Sequence, residues 1–155
     1  MDRERSGFLA ALDILSRRDR SEAELLRALA RRGIGEEEAA AALSRLRELN
    51  YLDDRRLAAR IVETALTSGR MAGARLRQEL HRRGIPRGIA EEAMAASTAE
   101  YDERSAVTAL LARKFPGFTP DGVDPKEKRR IVGWFQRRGY SLAAILEALR
   151  VATEE

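Results

Sequence analysis

Leu-Ala-Arg-Arg-Gly-Ile at residues 29–34 is a short phrase that this chain repeats twice more. It returns as Leu-His-Arg-Arg-Gly-Ile at residues 80–85 and as Phe-Gln-Arg-Arg-Gly-Tyr at residues 135–140. Each copy has the residue order of a helix end, because arginines favour the negative C-terminal end of the helix dipole and glycine adopts the left-handed position that follows. The phrases therefore predict three helices that end in the same way, with glycines 51 and 55 residues apart.

The similarity between the copies extends beyond the phrase. Leu25, Leu76 and Ile131 each stand four residues before the apolar residue that opens a copy, which places both on one helix face. A second helix follows each glycine, and a further helix precedes each pair, at residues 8–16, 57–68 and 105–113. A single irregular bundle with a chance echo is the alternative, and it is disfavoured because the match covers two helices and their turn.

These features predict an all-α fold of three tandem three-helix repeats that form an elongated, curved array. The predicted repeats are residues 1–52, 53–98 and 99–155. Helix-start signals support the boundaries: Ser21 and Glu24 have the spacing of a capping box, and Asp124 precedes a proline at the first helical position. A long irregular segment is expected at residues 115–123, which contain two prolines and two glycines.

Composition restricts the class of protein. The 155 residues include no cysteine, which excludes disulfides and thiolate metal sites, and the chain has no run of 18 apolar residues that would span a membrane. The charged N-terminus lacks the apolar region of a secretion signal. We therefore expect a cytoplasmic protein, and we expect it to be a monomer.

The charge is distributed in alternating blocks along the chain. Residues 55–88 carry nine basic and two acidic side chains, whereas the flanking blocks 34–54 and 89–105 are acidic. Stacked repeats could align the basic helices into a stripe that suits a phosphate backbone or an acidic protein groove. For any single pair of arginines, the simpler alternative is that the two charges only stabilise the C-terminal end of their helix. The predicted partner-binding or nucleic-acid-binding residues are Arg75, Arg77, Arg82, Arg83, Arg31, Arg32, Arg137 and Arg138.

Candidates for catalysis or metal binding are few. The single histidine, His81, has alanine and glutamine as its counterparts in the other copies, so we expect no enzyme activity, no cofactor and no metal. Asp53 and Asp54 are the one adjacent aspartate pair, and their place before a predicted helix favours structural capping over metal binding. Core packing is likewise favoured over base stacking for Trp134.

Several segments together resemble the RecX family of recombination regulators. Asn-Tyr-Leu-Asp-Asp-Arg-Arg-Leu-Ala at residues 50–58 is similar to the junction between the first and second repeats of that family. Residues 75–85 resemble its second-repeat helix, residues 16–25 resemble its opening, and Lys126 and Lys128 followed by residues 134–140 resemble its third repeat. The resemblance extends from about residue 8 to residue 150, with Ala74 where members often have proline.

The resemblance implies a function. RecX-like proteins bind the RecA recombinase filament and modulate it, usually by inhibiting its extension, ATP hydrolysis and strand exchange during DNA repair and recombination. Some members also bind DNA, so single- or double-stranded DNA is a second candidate partner. The alternative function is a DNA-binding helical-repeat or helix-turn-helix transcriptional regulator, although the helices after each turn are acidic or alanine-rich and would be poor recognition helices.

Overall fold

The computed structural model describes residues 2–151 of the chain, and these residues form nine α-helices and no strands. The predicted all-α fold of three-helix repeats is confirmed. The first helix is longer than expected and begins at Asp2, and the fourth begins at Asp54. The helices are α1 Asp2–Arg17, α2 Glu22–Arg31, α3 Glu36–Glu48, α4 Asp54–Ser68, α5 Gly73–Arg82, α6 Arg87–Thr98, α7 Glu103–Lys114, α8 Pro125–Arg137 and α9 Leu142–Val151.

All three repeated phrases end their helices by the predicted mechanism. Gly33, Gly84 and Gly139 have φ angles of +81°, +76° and +95°. In the first copy, the N–H of the residue after the glycine donates to the carbonyl of the phrase's opening leucine at 3.1 Å, and the glycine N–H donates to the Ala30 carbonyl at 3.0 Å. The same two bonds recur in the other copies. This is the Schellman arrangement, in which left-handed glycine lets the chain satisfy the last helical carbonyls.

The apolar positions that the copies share are the centre of the packing. Six residues at equivalent positions on α2, α5 and α8 have no exposed surface: Leu25, Leu29, Leu76, Leu80, Ile131 and Phe135. The first pair packs in a core with residues of α1 and α3, and the last pair packs in a core with residues of α7 and α9. Burial of these side chains fixes which face of each middle helix points inward.

The predicted caps are also present. Ser21 accepts the Glu24 N–H at 3.0 Å while the Glu24 carboxylate accepts the Ser21 N–H at 3.1 Å, which completes the capping box of α2. The Asp124 carboxylate accepts the Lys126 N–H at 3.1 Å at the start of α8. The irregular segment lies between α7 and α8, as expected. None of the described helices is long and apolar enough to cross a membrane.

The chain divides into two compact units, each of which has its own packing. One comprises Met1–Ile61 and Glu79–Ala93, and the other comprises Val62–Gln78 and Met94–Glu155. Residues of the second repeat contribute to both units. The three-way division at residues 52 and 98 therefore stays a prediction.

Within the first unit, the second phrase packs against the start of α2. The Ser21 hydroxyl donates to the Arg83 carbonyl, and a Cβ added to Gly84 would lie 2.6 Å from the Ala23 Cβ. Glycine is needed at position 84 for two reasons: the backbone there is left-handed, and the Ala23 side chain leaves no room for a Cβ. Gly33 has the same backbone conformation, but a Cβ there would meet no atom within 4 Å.

Within the second unit, the third phrase makes the equivalent contact with the start of α5. The Ala72 N–H donates to the Arg138 carbonyl at 2.8 Å. A Cβ on Gly139 would overlap the Ala72 carbonyl oxygen and lie 2.7 Å from the Arg75 Cβ. Ala72 stands 51 residues after Ser21, and Arg138 stands 55 after Arg83, so the two contacts occupy equivalent positions in successive repeats. We call each of them a joint.

Candidate partner interface

The second arginine of the second and third phrases is held by the fold. The Arg83 side chain is only 15% exposed; its Nε donates to Glu24 Oε1 at 3.0 Å, and a terminal nitrogen donates to the Asp19 carbonyl at 3.1 Å. Because both groups that it contacts lie at the start of α2 or just before it, Arg83 reinforces the joint of the first unit. Its positive charge is largely compensated by the Glu24 carboxylate.

Arg138 is held in a different way. Its guanidinium lies 3.5 Å from the centre of the Trp134 ring, and it donates to the Trp134 carbonyl at 3.1 Å. Trp134 also packs edge-on against Phe115 and Phe135, so this indole is part of the core packing, as the sequence favoured. The stacked guanidinium covers the indole, which is a favourable cation–π arrangement.

The first arginine of each phrase points to solvent. Arg31 and Arg137 are exposed and have no described hydrogen bond or ion pair. Arg82 is 71% exposed, and its ion pair among the described residues is with Glu79 of its own helix, at 2.6 Å. A pair of this kind on the surface contributes little stability and leaves the cation accessible. Arg32 of the first copy differs from Arg83 and Arg138 because it is exposed, and it pairs with Asp13 at 2.6 Å.

The remaining predicted arginines lie on α5. Arg75 is exposed, and its Cβ packs beside Gly139 in the joint of the second unit. Arg77 is also exposed and takes part in an interaction with its surroundings. The structure therefore divides the eight predicted arginines into those that the fold holds, Arg83 and Arg138, and those with a more accessible charge.

Arginines crowd together where α1 meets α2. The pKa of the Arg20 guanidinium is lowered first by burial and then by the charge of Arg18; Glu24 opposes this, and Arg31 and Arg83 lower the pKa further. The Arg20 Nε is buried and finds no hydrogen-bond partner among the described residues. Like charges held this close repel each other, so an anionic partner would relieve the repulsion.

Arg18 and Arg20 are not among the residues that the sequence predicted for binding. The signal was present in the Arg-Arg-Asp-Arg turn at residues 17–20, but nothing in the sequence placed that turn beside Arg31 and Arg83. Glu24 is the central counter-charge. Burial alone would raise its pKa, but hydrogen bonds from the Ser21 N–H and from Arg83 outweigh burial and hold the pKa below its usual value.

Asp53 and Asp54 have separate roles. The Asp53 carboxylate accepts the Arg56 N–H at 3.1 Å, which is the geometry of a cap on α4. Asp54 is 9% exposed and does not serve the helix that it begins; its carboxylate accepts the Glu22 N–H at 2.9 Å, at the start of α2. The expectation that both aspartates cap the following helix is therefore corrected for Asp54, which accepts from the first N–H of a neighbouring helix.

The surroundings of Asp54 are unfavourable for a charge. Burial is the main cause that raises the pKa of Asp54, and the nearby Glu22 and Asp53 carboxylates raise it further. The hydrogen bond from the Glu22 N–H and the charge of Arg47 lower the pKa, but they do not outweigh the other causes. Arg47 also forms a two-point ion pair with Glu22, at 2.6 and 2.8 Å. The described residues contain no group of three or more carboxylate or histidine side chains that could hold a metal.

Two protein-family models match the first and second predicted repeats of the chain. The model of the "RecX, first three-helix domain" matches residues 8–46, and that of the "RecX, second three-helix domain" matches residues 53–94. The chain belongs to the RecX family. Its resemblance to RecX, noted in the sequence, is confirmed.

Related RecX sequences cover nearly the whole chain. It is 40% identical over 133 residues to the regulatory protein RecX of Trichlorobacter lovleyi, with 86% of each chain covered. It is 37% identical over 145 residues to the regulatory protein RecX of Thermus thermophilus, with 94% of this chain and 91% of that protein covered. These RecX relatives are named regulatory proteins and not enzymes.

The fold is also similar to that of solved RecX structures. The crystal structure of RecX from Lactobacillus salivarius superposes with a TM-score of 0.78 at 20% identity and covers 97% of both chains. A second crystal structure of regulatory protein RecX gives a TM-score of 0.72 at 22% identity, with 92% of this chain and 71% of that one covered. At these identities the similarity establishes the fold.

Proposed function

We propose that this RecX protein binds the RecA recombinase filament and inhibits its extension, ATP hydrolysis and strand exchange in DNA repair and recombination. The observation that carries the proposal is family membership, which is supported at both the sequence and domain level. The protein acts as a cytoplasmic, monomeric regulator without catalysis or a cofactor. DNA is a second candidate partner.

The accessible arginines supply the electrostatic attraction to the filament. Arg31, Arg82 and Arg137 are the solvent-facing members of the three phrases. Each contributes a modest amount because exposed ion pairs are weak, so affinity comes from several such contacts made at once. Arg20 adds to the positive charge around Arg31. Binding of this kind is sensitive to added salt.

The test is binding to RecA filaments assembled on single-stranded DNA with ATP. We expect the double variant Arg31→Glu, Arg137→Glu to bind about tenfold more weakly than the wild type and to show a smaller salt dependence. The control is Arg87→Glu, Lys114→Glu, because both residues are exposed, lie outside the phrases and give the same change in net charge. Equal losses in the two double variants would show that only net charge matters.

The transcriptional-regulator alternative predicts a different result. It requires tight binding to duplex DNA in the absence of RecA, through the helices that follow the phrases. The first of these, α3, begins with Glu36, Glu37 and Glu38, which would be repelled by phosphates. Specific duplex binding without RecA, with no effect on filament ATP hydrolysis, would replace the proposed function by this alternative.

A further inference from the structure

A shallow groove lies between α8 and α9 in the second unit. Its volume is about 460 Å³. Six residues on one face of α8, from Pro125 to Gln136, line the groove, and Leu146 lines it from α9. A second hollow of about 370 Å³ shares Lys128 and Leu146 with it and continues to Phe118 and Arg150. The α8 part alone is about 17 Å long at the helical rise per residue.

The groove combines an apolar floor with a basic rim. Val132 and Leu146 are half-buried side chains on the floor, and Val132 packs against the core of this unit. Lys128, Arg129 and Arg150 are exposed on the rim and have no described ion pair. None of the described residues that line the two hollows is a carboxylate. No carboxylate among these lining residues therefore offsets the positive charge of the rim.

Gly133 keeps the floor of the groove open. It lies inside α8, where glycine is less favourable than alanine by about 1 kcal/mol. Its backbone does not require glycine, because its φ is not positive. A Cβ at this position would come closest to a terminal nitrogen of Arg137, at 3.1 Å, which is the flexible end of a side chain. The packing of the chain itself thus gives no reason for the missing side chain, whereas close approach of a partner does.

We propose that this groove binds an amphipathic helical segment of a protein partner, with apolar residues on one face and acidic residues beside them. Apolar side chains at helical spacing would occupy the floor, and carboxylates would meet Lys128, Arg129 and Arg150. Single-stranded nucleic acid fits less well, because it requires aromatic platforms, and the floor is mostly aliphatic. This inference does not rest on the proposed function.

The probe is a fluorescent synthetic peptide of about 15 residues, with leucines at positions i, i+3, i+4 and i+7 of a helix and glutamates between them. We expect it to bind the full chain in an anisotropy titration. A peptide with serine in place of each leucine should bind about tenfold more weakly, and so should one with lysine in place of each glutamate.

Two variants locate the binding to the groove. Arg129→Glu should weaken peptide binding about fivefold, whereas Arg130→Glu should have less than about a twofold effect. Arg130 is the comparison because it is the next residue on the same helix, is also exposed and does not line the groove; its ion pair is with Glu127 of its own helix, at 3.8 Å. Gly133→Leu should fill the floor and weaken binding while its melting temperature stays at or above that of the wild type, since leucine favours helix.

Four outcomes would overturn the proposal. One is peptide binding that is unchanged in Gly133→Leu, and another is equal weakening by Arg129→Glu and Arg130→Glu. The third is competition by an oligodeoxythymidine, which would assign the groove to nucleic acid. The fourth is self-association of the chain that is lost in the groove variants, which would assign the groove to a second copy. Because no assay here contains RecA, failure of the filament proposal would leave these results unaffected.

Discussion

The three glycines of the repeated phrases allow one test of the joints, because they share a backbone conformation but differ in their surroundings. Gly33→Ala places alanine in the left-handed region, which costs about 1 kcal/mol and meets no other atom. Gly84→Ala carries the same cost, and its Cβ also collides with the Ala23 Cβ. Relief of that collision requires the Ser21–Arg83 bond to open, which leaves buried polar groups unpaired at a cost of about 1–3 kcal/mol.

The expected free energies of unfolding follow from these terms. Gly33→Ala should lose about 1 kcal/mol, while Gly84→Ala and Gly139→Ala should each lose about 2–4 kcal/mol. For a chain of this length, that corresponds to about 3 °C in melting temperature for the first variant and about 6–12 °C for the other two. Thermal and urea unfolding followed by far-UV circular dichroism measures both quantities.

Asparagine at the same positions separates the two causes. It tolerates the left-handed region but carries a Cβ, so Gly33→Asn should be within about 0.5 kcal/mol of the wild type. Gly84→Asn and Gly139→Asn should remain destabilised, because the collision persists. If all three alanine variants lose the same stability, or if asparagine rescues all three positions equally, then close approach at the joints has no energetic importance.

Two further predictions concern titratable groups beside the first joint. Because Asp54 has a raised pKa, its ionised form costs stability above that pKa, and the cost disappears as the pH falls toward the unfolded value of 3.8. Asp54→Asn, which still accepts the Glu22 N–H, should therefore be at least as stable as the wild type at pH 7, with a smaller difference near pH 4 in thermal melts. Asp54→Ala should lose about 1–2 kcal/mol at pH 7, and equal losses in Asn and Ala would show that the carboxylate charge is needed. Glu24 has a lowered pKa, so the stability that it contributes is present above 4.5 and is lost as the pH falls through its folded value. Glu24→Gln should destabilise the protein by about 1–3 kcal/mol at pH 7 and flatten the acid limb of the stability curve, while Glu48→Gln, at an exposed site, should do neither.

The repeated phrase and the apolar residues beside it were enough to predict the end and the buried face of the middle helix in each repeat. Apolar spacing is local information, and so is the preference of glycine for the left-handed position; for this reason Leu29, Leu80 and Phe135 were placed correctly. The capping box at Ser21 was predictable for the same reason. Each of these predictions uses only residues that lie in the same helix or in the turn beside it.

The contacts between repeats were not predictable from the sequence alone. Nothing near Asp54 in the chain indicates that its carboxylate faces the Glu22 N–H, 32 residues away. The two arginines of a phrase likewise look equivalent in the sequence, although in the second and third copies one is held by the fold and the other faces solvent. Such differences depend on which helix packs beside which, and a single sequence does not contain that information in local form.

The separation of roles within the second and third Arg-Arg pairs follows from helix geometry. Consecutive residues at a helix end project about 100° apart, so two adjacent arginines cannot both face the same neighbour. In the second and third copies, the arginine next to the glycine is the one whose carbonyl accepts a hydrogen bond at the joint, and its side chain is drawn to Glu24 or Trp134. Its neighbour is left in solvent with its charge available. One short phrase thus ends a helix and presents a cation, and in the second and third copies it also joins that helix to the preceding repeat.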